Sequence, residues 1–375
     1  MAFIRFSSLH TIFFLSILVL VWLAWSNIRL REQESRRLPI HPPYSDMGGF
    51  YDGEYDPEFD FGDNSGLPDP ERDLPYVIDR TSSPLDKLTK TFTIVTAASA
   101  NHFCALESFL YSLSEVFEGL ERTETRPTLI VYNLGGMSPE QLAQLQYLTD
   151  NEYIDVYREF EYENYPDFWD INISRGEYGW KSGIVKEIAD EFRGYVLWLD
   201  SGNMLALDFL RYLPGYLDKF GFWSPQSSGS FRQYTHPGLP EFYGENLETY
   251  AQETNCNGAA IAFDASSDRI YNGLLSEWYK CSSNKACIAP EGSSRSNHRQ
   301  DQAVLTFLAK RMGFVDQCRR FPEHYGVTVH QDKVCRERIR AYKIMKGIDQ
   351  DNGFLDDDEG EEEEEVDEEG EDVQG

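Results

Sequence analysis

The stretch GWKSGIVKEIADEFRGYVLWLDSGN, residues 179–203, decides how this chain folds. Its first half repeats large apolar side chains every four residues, at Trp180, Ile184, Ile188 and Phe192. This spacing predicts an amphipathic helix that packs on a larger body and ends at Gly194 as its C-terminal cap. Residues 195–199 are almost wholly apolar, which is typical of a strand buried on both faces.

The predicted strand ends at Asp200, and Ser201 and Gly202 form the turn that follows. A helix that leads into a buried strand places Asp200 at the carboxyl edge of a parallel sheet, where open α/β sheets bind their ligands. The alternative is that Asp200 only caps the next segment.

Strand-length and helix-length patterns alternate on both sides of this stretch. The predicted strands are residues 92–96, 129–132, 153–157 and 259–263, and the predicted helices are residues 106–117, 139–148, 270–280 and 301–312. A capping box at residues 138–141 opens the second helix. The alternation predicts an α/β fold with a mostly parallel sheet.

Composition excludes one class of function. The chain has 375 residues and a net charge of -30, and 14 of its acidic residues lie within 356–372. The remainder therefore carries about -16 and shows no basic stripe, so we expect no nucleic-acid partner.

The six cysteines fit no CxxC zinc spacing, and their even number suits disulfides in an oxidising compartment. Cys281 and Cys287 are close enough to bridge a small loop, but the spacing does not determine the other pairs. Six buried free thiols in a cytosolic protein are the alternative.

Residues 6–28 carry no charge and are long enough to span a bilayer of about 30 Å as a helix. We expect an uncleaved single-pass anchor within residues 1–28, because the run exceeds the apolar core of a signal peptide, roughly 7–15 residues. A signal peptide cleaved near Ala24 is the alternative. The arginines that follow the span favour a cytosolic C-terminal side, whereas the even cysteines and the sequon at Asn172 favour the lumen, which we expect.

The remaining segments divide by composition. Residues 29–87 are broken by prolines and dominated by acidic residues, which predicts a disordered stalk. Residues 88–346 carry the folded domain, and residues 347–375 form an acidic, disordered tail.

Three groups of residues could carry chemistry. Asp200 could hold a divalent cation, although Gly202 stands where a second carboxylate would strengthen that site, and Lys181 could neutralise a phosphate instead or be a surface lysine. Asn257 and Gly258 could approach a sugar or nucleotide, or form a turn. His298, Asp301 and Gln302 could meet a polar substrate or cap a helix, and His330 could complete a metal site.

Motifs of several other enzyme classes are missing. The chain contains no GxGxxG, GxxxxGK[ST], HExxH or GxSxG, which leaves dinucleotide-binding, P-loop, zincin and α/β-hydrolase readings without support.

Five stretches together resemble a eukaryotic family of nucleotide-diphospho-sugar transferases with the GT-A fold and often a type II anchor. They are FTIVTAAS at 92–99, VYNLG at 131–135, Trp180-Lys181, VLWLDSG at 196–202 and HRQDQ at 298–302. The resemblance covers residues 88–340 and implies a glycosyltransferase of the Golgi or secretory pathway. It also implies a nucleotide-sugar donor, a glycan or glycoprotein acceptor and a manganese or other divalent cofactor.

By this resemblance, Asp200 stands at the DxD position and is catalytic together with Asp301, which faces the acceptor or the reacting sugar. Asp200 and His330 would bind the metal. The substrate would be bound by Thr96, Ala97, Trp180, Lys181, Asn257, Gly258, His298 and Gln302. Two rival functions remain: a non-catalytic carbohydrate-binding module on the same fold, and a membrane-tethered interaction protein that acts through its acidic tail.

Overall fold

The computed structural model describes residues 84–314 and 316–348. The predicted anchor at 1–28 lies outside these residues, as do nearly all of the predicted stalk and tail. Leu85, which the prediction placed in the stalk, is fully buried in the core, in a 3-10 turn at Pro84–Lys87. No helix within 84–314 or 316–348 is both long and apolar enough to cross a membrane.

A six-stranded sheet forms the centre of the fold, in the order β3-β2-β1-β4-β9-β6. Strands β1 to β4 run parallel to one another, whereas β9 runs antiparallel to both β4 and β6. This confirms the predicted α/β class with a mostly parallel sheet. The strands are β1 Phe92–Ala98, β2 Thr128–Asn133, β3 Val156–Glu159, β4 Tyr195–Leu199, β6 Phe222–Trp223 and β9 Ala260–Asp264.

Two small antiparallel pairs lie beside the main sheet. β5 (Met204–Leu205) pairs with β10 (Val327–Thr328), and β7 (Gln226–Ser230) pairs with β8 (Thr254–Cys256). The first pair brings the chain after Val327 to the turn that follows Asp200.

Helices cover both faces of the sheet. They are α1 Phe103–Glu118, α2 Pro139–Asp150, α3 Gly179–Phe192, α4 Leu207–Phe220, α5 Phe231–Tyr234, α6 Gly238–Phe242, α7 Ser276–Ser282, α8 Lys285–Ile288, α9 Gln300–Arg311 and α10 Cys335–Lys346. The predicted capping box of α2 is present, since Ser138 and Gln141 exchange hydrogen bonds. The predicted helix 270–280 is instead a π-helical segment, Arg269–Leu275, that continues into α7.

Alternate residues of each central strand enter two separate cores. On β4, Val196 and Trp198 join the core beneath α3 and α9, whereas Leu197 and Leu199 join the core beneath α1 and α4. All five residues of β4 are buried, as their apolar run predicted. This double burial holds the end of β4, and with it Asp200, in a fixed position.

Glycines in the deciding stretch and just before it allow close packing against Trp169, which is fully buried. A Cβ at Gly176, Gly179 or Gly183 would overlap Trp169. The prediction of Gly194 as the C-terminal cap is wrong: Arg193 takes the left-handed cap conformation, with φ 47°. Gly194 is required for another reason, because a Cβ there would overlap the Thr91 carbonyl group.

All six cysteines form disulfides, Cys104–Cys335, Cys256–Cys318 and Cys281–Cys287. The expected even pairing and the small Cys281–Cys287 loop are therefore present, and the alternative of free thiols is excluded. Cys104–Cys335 joins the start of α1 to the start of α10.

Candidate active site

Asp200 follows β4 at the carboxyl edge of the parallel strands, as predicted. Its Oδ1 accepts a hydrogen bond of 2.6 Å from Trp198 Nε1 and lies 3.1 Å from Lys181 Nζ. The side chain keeps 38% of its surface exposed, so one carboxylate oxygen remains open to a ligand. The alternative role as a cap for the next helix does not apply, because Ala206 occupies the N-cap of α4.

Lys181 is buried, which excludes a surface lysine. Its Nζ donates a hydrogen bond of 2.9 Å to the Gly258 carbonyl oxygen and forms ion pairs with Asp200 at 3.1 Å and Asp301 at 3.2 Å. An ammonium group has three donors, and three acceptors surround it here, of which the Gly258 carbonyl oxygen has the geometry of a hydrogen bond. Burial by itself lowers the pKa of Lys181, but the two carboxylates outweigh burial and raise it, so the side chain is charged.

Asp301 lies in the first turn of α9 and is 5% exposed. Its Oδ2 faces Lys181 Nζ without the alignment of a hydrogen bond. Burial raises the pKa of Asp301, and Lys181 opposes that shift. The site is thus a cluster of two carboxyl groups, from Asp200 and Asp301, around the Lys181 ammonium group.

The backbone between β8 and β9 lies against the cluster of Lys181, Asp200 and Asp301. Gly258 donates its N–H to Gln302 Oε1 at 3.3 Å, and a Cβ at Gly258 would lie 3.3 Å from Asp301 Oδ2. Asn257 Oδ1 accepts from the Ala259 N–H at 2.8 Å, which is the predicted turn role. Gln302 Nε2 is buried without a hydrogen-bond partner among the described residues, so a donor remains available beside the cluster.

Two aromatic rings enclose the ammonium group. The Trp198 ring centroid lies 5.4 Å from Lys181 Nζ, and the Tyr178 ring centroid lies 6.0 Å from it. Aromatic faces attract a cation and exclude water from it. Neither ring was among the predicted site residues; for Trp198, its position two residues before Asp200 was the only available signal.

The other predicted substrate-binding residues do not join this cluster. Thr96 and Ala97 are buried inside β1, because that strand continues to Ala98 rather than ending at Thr96. Trp180 packs in the core, 6.0 Å from the Trp198 ring, and donates to the Arg175 carbonyl oxygen. The predicted turn after Thr96 therefore begins only after Ala98, and the assignment of Thr96, Ala97 and Trp180 to substrate binding stays a prediction.

His298 serves the structure. It is fully buried, and its Nδ1 accepts from the His236 N–H at 3.1 Å while Nε2 lies 2.8 Å from the Ile288 carbonyl oxygen. Both ring nitrogens are thus occupied. Burial lowers the pKa of His298 to about 4, which keeps the ring neutral.

The predicted metal site does not form a preorganised ligand set. His330 is exposed, with φ 57°, and no three His, Cys, Asp or Glu side chains within 84–314 and 316–348 are placed to hold a metal ion. A carboxylate that the sequence did not single out as a ligand does lie nearby: Asp332 stands against Gly202. Asp200 also commits one oxygen to Lys181 and Trp198. The residues present therefore do not fit a ready-made metal site.

No protein-family model and no curated protein matches the chain significantly. Solved structures that resemble it are glycosyltransferases of the GT-A type, the class that the sequence resemblance indicated. Core-mannan synthase A from Aspergillus fumigatus, in a Mn/GDP form, has 9% identity over 60% of this chain and 70% of that chain, with a TM-score of 0.41.

The galactosyltransferase LgtC, in complex with donor and acceptor sugar analogues, has 14% identity over 67% of this chain and 96% of its own, with a TM-score of 0.38. The bifunctional glycosyltransferase WbbM has 13% identity over 59% of this chain and 38% of its own, with a TM-score of 0.35. The chain therefore spans well under half the length of that protein. These likenesses concern the fold, and the function is drawn below from the cluster itself.

Proposed function

We propose that this protein is a glycosyltransferase that moves a sugar from a nucleotide-diphospho-sugar to a glycan or glycoprotein acceptor. The observation that supports this most directly is the buried Lys181, held between Asp200 and Asp301 at the carboxyl edge of the sheet. A buried charged cluster that leaves one carboxylate open is costly for stability and is typical of a functional site.

The chemistry of sugar transfer suits a carboxylate at the edge of the sheet. The bond between the anomeric carbon and the diphosphate oxygen breaks, the bond to the acceptor oxygen forms, and the acceptor proton is released to a base. Positive charge develops on the sugar in such a transition state, as in glycoside hydrolysis. A carboxylate held in place in a partly exposed site, such as Asp200, stabilises that charge without rearrangement.

We assign different roles to the two carboxylates. Asp200 is partly exposed and contacts the donor sugar, whereas Asp301 is 5% exposed and positions Lys181. Gln302 offers its unpartnered Nε2–H to a sugar hydroxyl. Because the described residues hold no set of three metal ligands, no step here passes through a cation.

The three disulfides support a location in the lumen of the secretory pathway. Asn172 is exposed and its sequon is intact, so lumenal protein is expected to carry a glycan there. Treatment with an N-glycosidase, compared with an Asn172→Gln variant, tests this. An unmodified Asn172 in protein made by a eukaryotic cell would count against the lumen.

The decisive experiment measures donor binding and turnover on the same preparation. Ligands that bind the native state raise the melting temperature, so a panel of nucleotide sugars is screened with and without manganese. The donor that shifts the wild type is then incubated with glycan acceptors, and Asp200→Asn is expected to abolish transfer while retaining the fold. Donor binding without turnover would favour the carbohydrate-binding module. No donor binding, with function lost on tail deletion, would favour the tethered interaction protein.

A further inference from the structure

Two arginines beside the cluster have no carboxylate partner within the described residues. Arg295 donates to the Tyr178 hydroxyl, with its guanidinium 5.4 Å from that ring centroid. Arg299 stacks on Tyr234 at 3.5 Å and makes two long hydrogen bonds of 3.3 Å, to Ser227 Oγ and Ser228 Oγ. Both guanidinium groups are thus held in place by neutral partners.

Several other arginines of the fold pair with carboxylates. Arg126 lies 2.7 Å from Asp155, Arg158 lies 2.7 Å from Glu191, and Arg211 lies 2.7 Å from Glu124. In a chain with a net charge of -30, acidic partners are plentiful. Arg295 and Arg299 share the lack of a carboxylate partner with Arg193, which stacks on Tyr271. What distinguishes them is their position beside the Lys181 cluster.

The position of Arg299 is energetically unfavourable without an anion. Its side chain is half-buried, and burial lowers its pKa, with a further contribution from the like charge of Arg295. Desolvating a cation costs free energy unless an opposite charge replaces the water. A ligand oxyanion between the two guanidinium groups would supply that charge in the forked geometry that arginine favours.

Tyr178 connects the arginine pair to the Lys181 cluster. The Arg295 guanidinium lies 5.4 Å from the Tyr178 ring centroid, and Lys181 Nζ lies 6.0 Å from the same centroid. Arg299 also lies only two residues before Asp301 in the chain. The pair therefore borders the site at which the sugar is proposed to bind.

The backbone that presents Tyr178 is strained. Residues 174–178 all have positive φ, with values of 48°, 54°, 64°, 47° and 55°, and Gly176 is the one glycine among them. Left-handed conformation is unfavourable for an ordinary residue, because its Cβ comes too close to the following carbonyl oxygen. Such strain persists where surrounding contacts enforce it, and it concentrates at ligand sites. Here the Arg295 hydrogen bond and the 3.4 Å contact from Gln300 Nε2 to Glu177 hold the turn.

We propose that Arg295 and Arg299 bind an oxyanion, a phosphate or a carboxylate, of a substrate seated at the Lys181 cluster. This inference rests on the proposed function and narrows its substrate class. The oxyanion has two possible sources, the diphosphate of the donor and an acidic acceptor sugar. Both present the same chemistry to a pair of guanidinium groups.

Binding isotherms on the full-length protein test the pair directly. The probes are uridine and guanosine diphosphates, glucose 6-phosphate and glucuronic acid, each compared with its neutral counterpart uridine, guanosine or glucose. We expect at least one anion to bind more tightly than its neutral counterpart and to weaken with added salt. Replacing both arginines, Arg295→Gln with Arg299→Gln, is expected to weaken that anion roughly tenfold or more.

A matched control separates the effect of this site from the general effect of removing an arginine that stacks on a tyrosine. Arg193 stacks on Tyr271 at 3.6 Å at the opposite end of α3, so Arg193→Gln removes a similar contact elsewhere. We expect this variant to bind the anion as the wild type does. If the double variant is unstable, Arg299→Lys keeps the charge, loses the fork and is expected to weaken the anion at a native melting temperature.

The outcomes distinguish the two possible sources of the oxyanion, and they distinguish this proposal from the proposed function. Loss confined to nucleoside diphosphates assigns the pair to the donor, and loss confined to the acidic sugars assigns it to the acceptor. The proposal is overturned if no anion outcompetes its neutral counterpart, or if the double variant binds anions like the wild type. A wild-type protein that transfers sugar from no donor would sink the proposed function, yet the anion isotherms would still test the arginine pair, so the two can fail separately.

Discussion

Asp332 occupies the space in which a side chain at residue 202 would stand. A Cβ built on Gly202 would lie 2.8 Å from Asp332 Cγ, and the Gln331 N–H donates to the Gly202 carbonyl oxygen at 2.7 Å. A carboxylate thus lies against the turn after Asp200, although the sequence places a glycine there. It arrives from the segment that follows β10.

This contact predicts an unusual mutational response. Gly202→Ala is expected to destabilise the protein by about 1–3 kcal/mol, because the added methyl group overlaps Asp332. Urea denaturation measures the change. Asp332→Ala alone is expected to be nearly neutral, and the Gly202→Ala/Asp332→Ala pair should recover most of the loss. Equal instability of the single and double variants would contradict the contact.

Removing the buried ammonium should be far more damaging than removing an exposed one. Lys181→Met leaves Asp200 and Asp301 without their shared cation, and the expected loss is about 3–5 kcal/mol of the free energy of unfolding. Lys280→Met is the matched control: its side chain is 67% exposed beside Glu277, and such pairs contribute at most about 1 kcal/mol.

A second variant tests the cause of that loss. Adding Asp301→Asn to Lys181→Met removes one of the two stranded charges, so part of the stability should return. Similar losses of unfolding free energy for Lys181→Met and Lys280→Met, measured by denaturation, would show that Asp200 and Asp301 do not depend on the Lys181 ammonium group.

Acid should weaken the fold through His298. Its pKa falls from 6.5 to about 4 in the folded state, so protonation favours the unfolded chain. The stability is present above pH 6.5 and is lost as the pH falls towards 4, by about 3 kcal/mol over that range. The raised pKa of Asp301 acts in the opposite direction.

Comparing variants removes the Asp301 contribution. The difference in unfolding free energy between the wild type and His298→Gln is expected to shrink from pH 7 to pH 4.5. The same measurement on His324→Gln, at an exposed position, should give a small difference at both pH values. A wild-type advantage over His298→Gln that does not change with pH would rule out this assignment.

The disulfides should differ in their contributions to stability. Cys104–Cys335 closes a loop with a sequence separation of 231, whereas Cys281–Cys287 spans 6. Loop-closure entropy predicts losses of roughly 5 and 2 kcal/mol on replacement of each pair by serine. Thermal unfolding of the two double-serine variants compares them. The reverse order would indicate that native contacts, rather than chain entropy, dominate.

Local sequence patterns were sufficient to predict the helix and the buried strand within residues 179–203. Apolar spacing of four residues located α3, and the uninterrupted run at β4 predicted burial on both faces, so Asp200 was correctly expected at the sheet edge. The capping box of α2 was also predicted, because its partners lie three residues apart.

The burial and ion pairing of Lys181 could not be predicted from local sequence patterns. A lysine is rarely buried without partners, and its partners Asp200 and Asp301 come from two distant segments. The left-handed turn at Tyr178 has a single glycine to indicate it, and the placement of Asp332 depends on the pairing of β10 with β5. These features arise from long-range packing, which no local period encodes.

The Cys104–Cys335 bond also determines how the molecule bears mechanical load. A pull applied between the two ends of the chain enters at Cys104 and leaves at Cys335 through a covalent bond. The residues between them, which include Lys181, Asp200 and Asp301, form a closed ring that carries none of that tension. A chain tethered at one end and grasped at the other would therefore stretch in the segments outside the ring, which include β1.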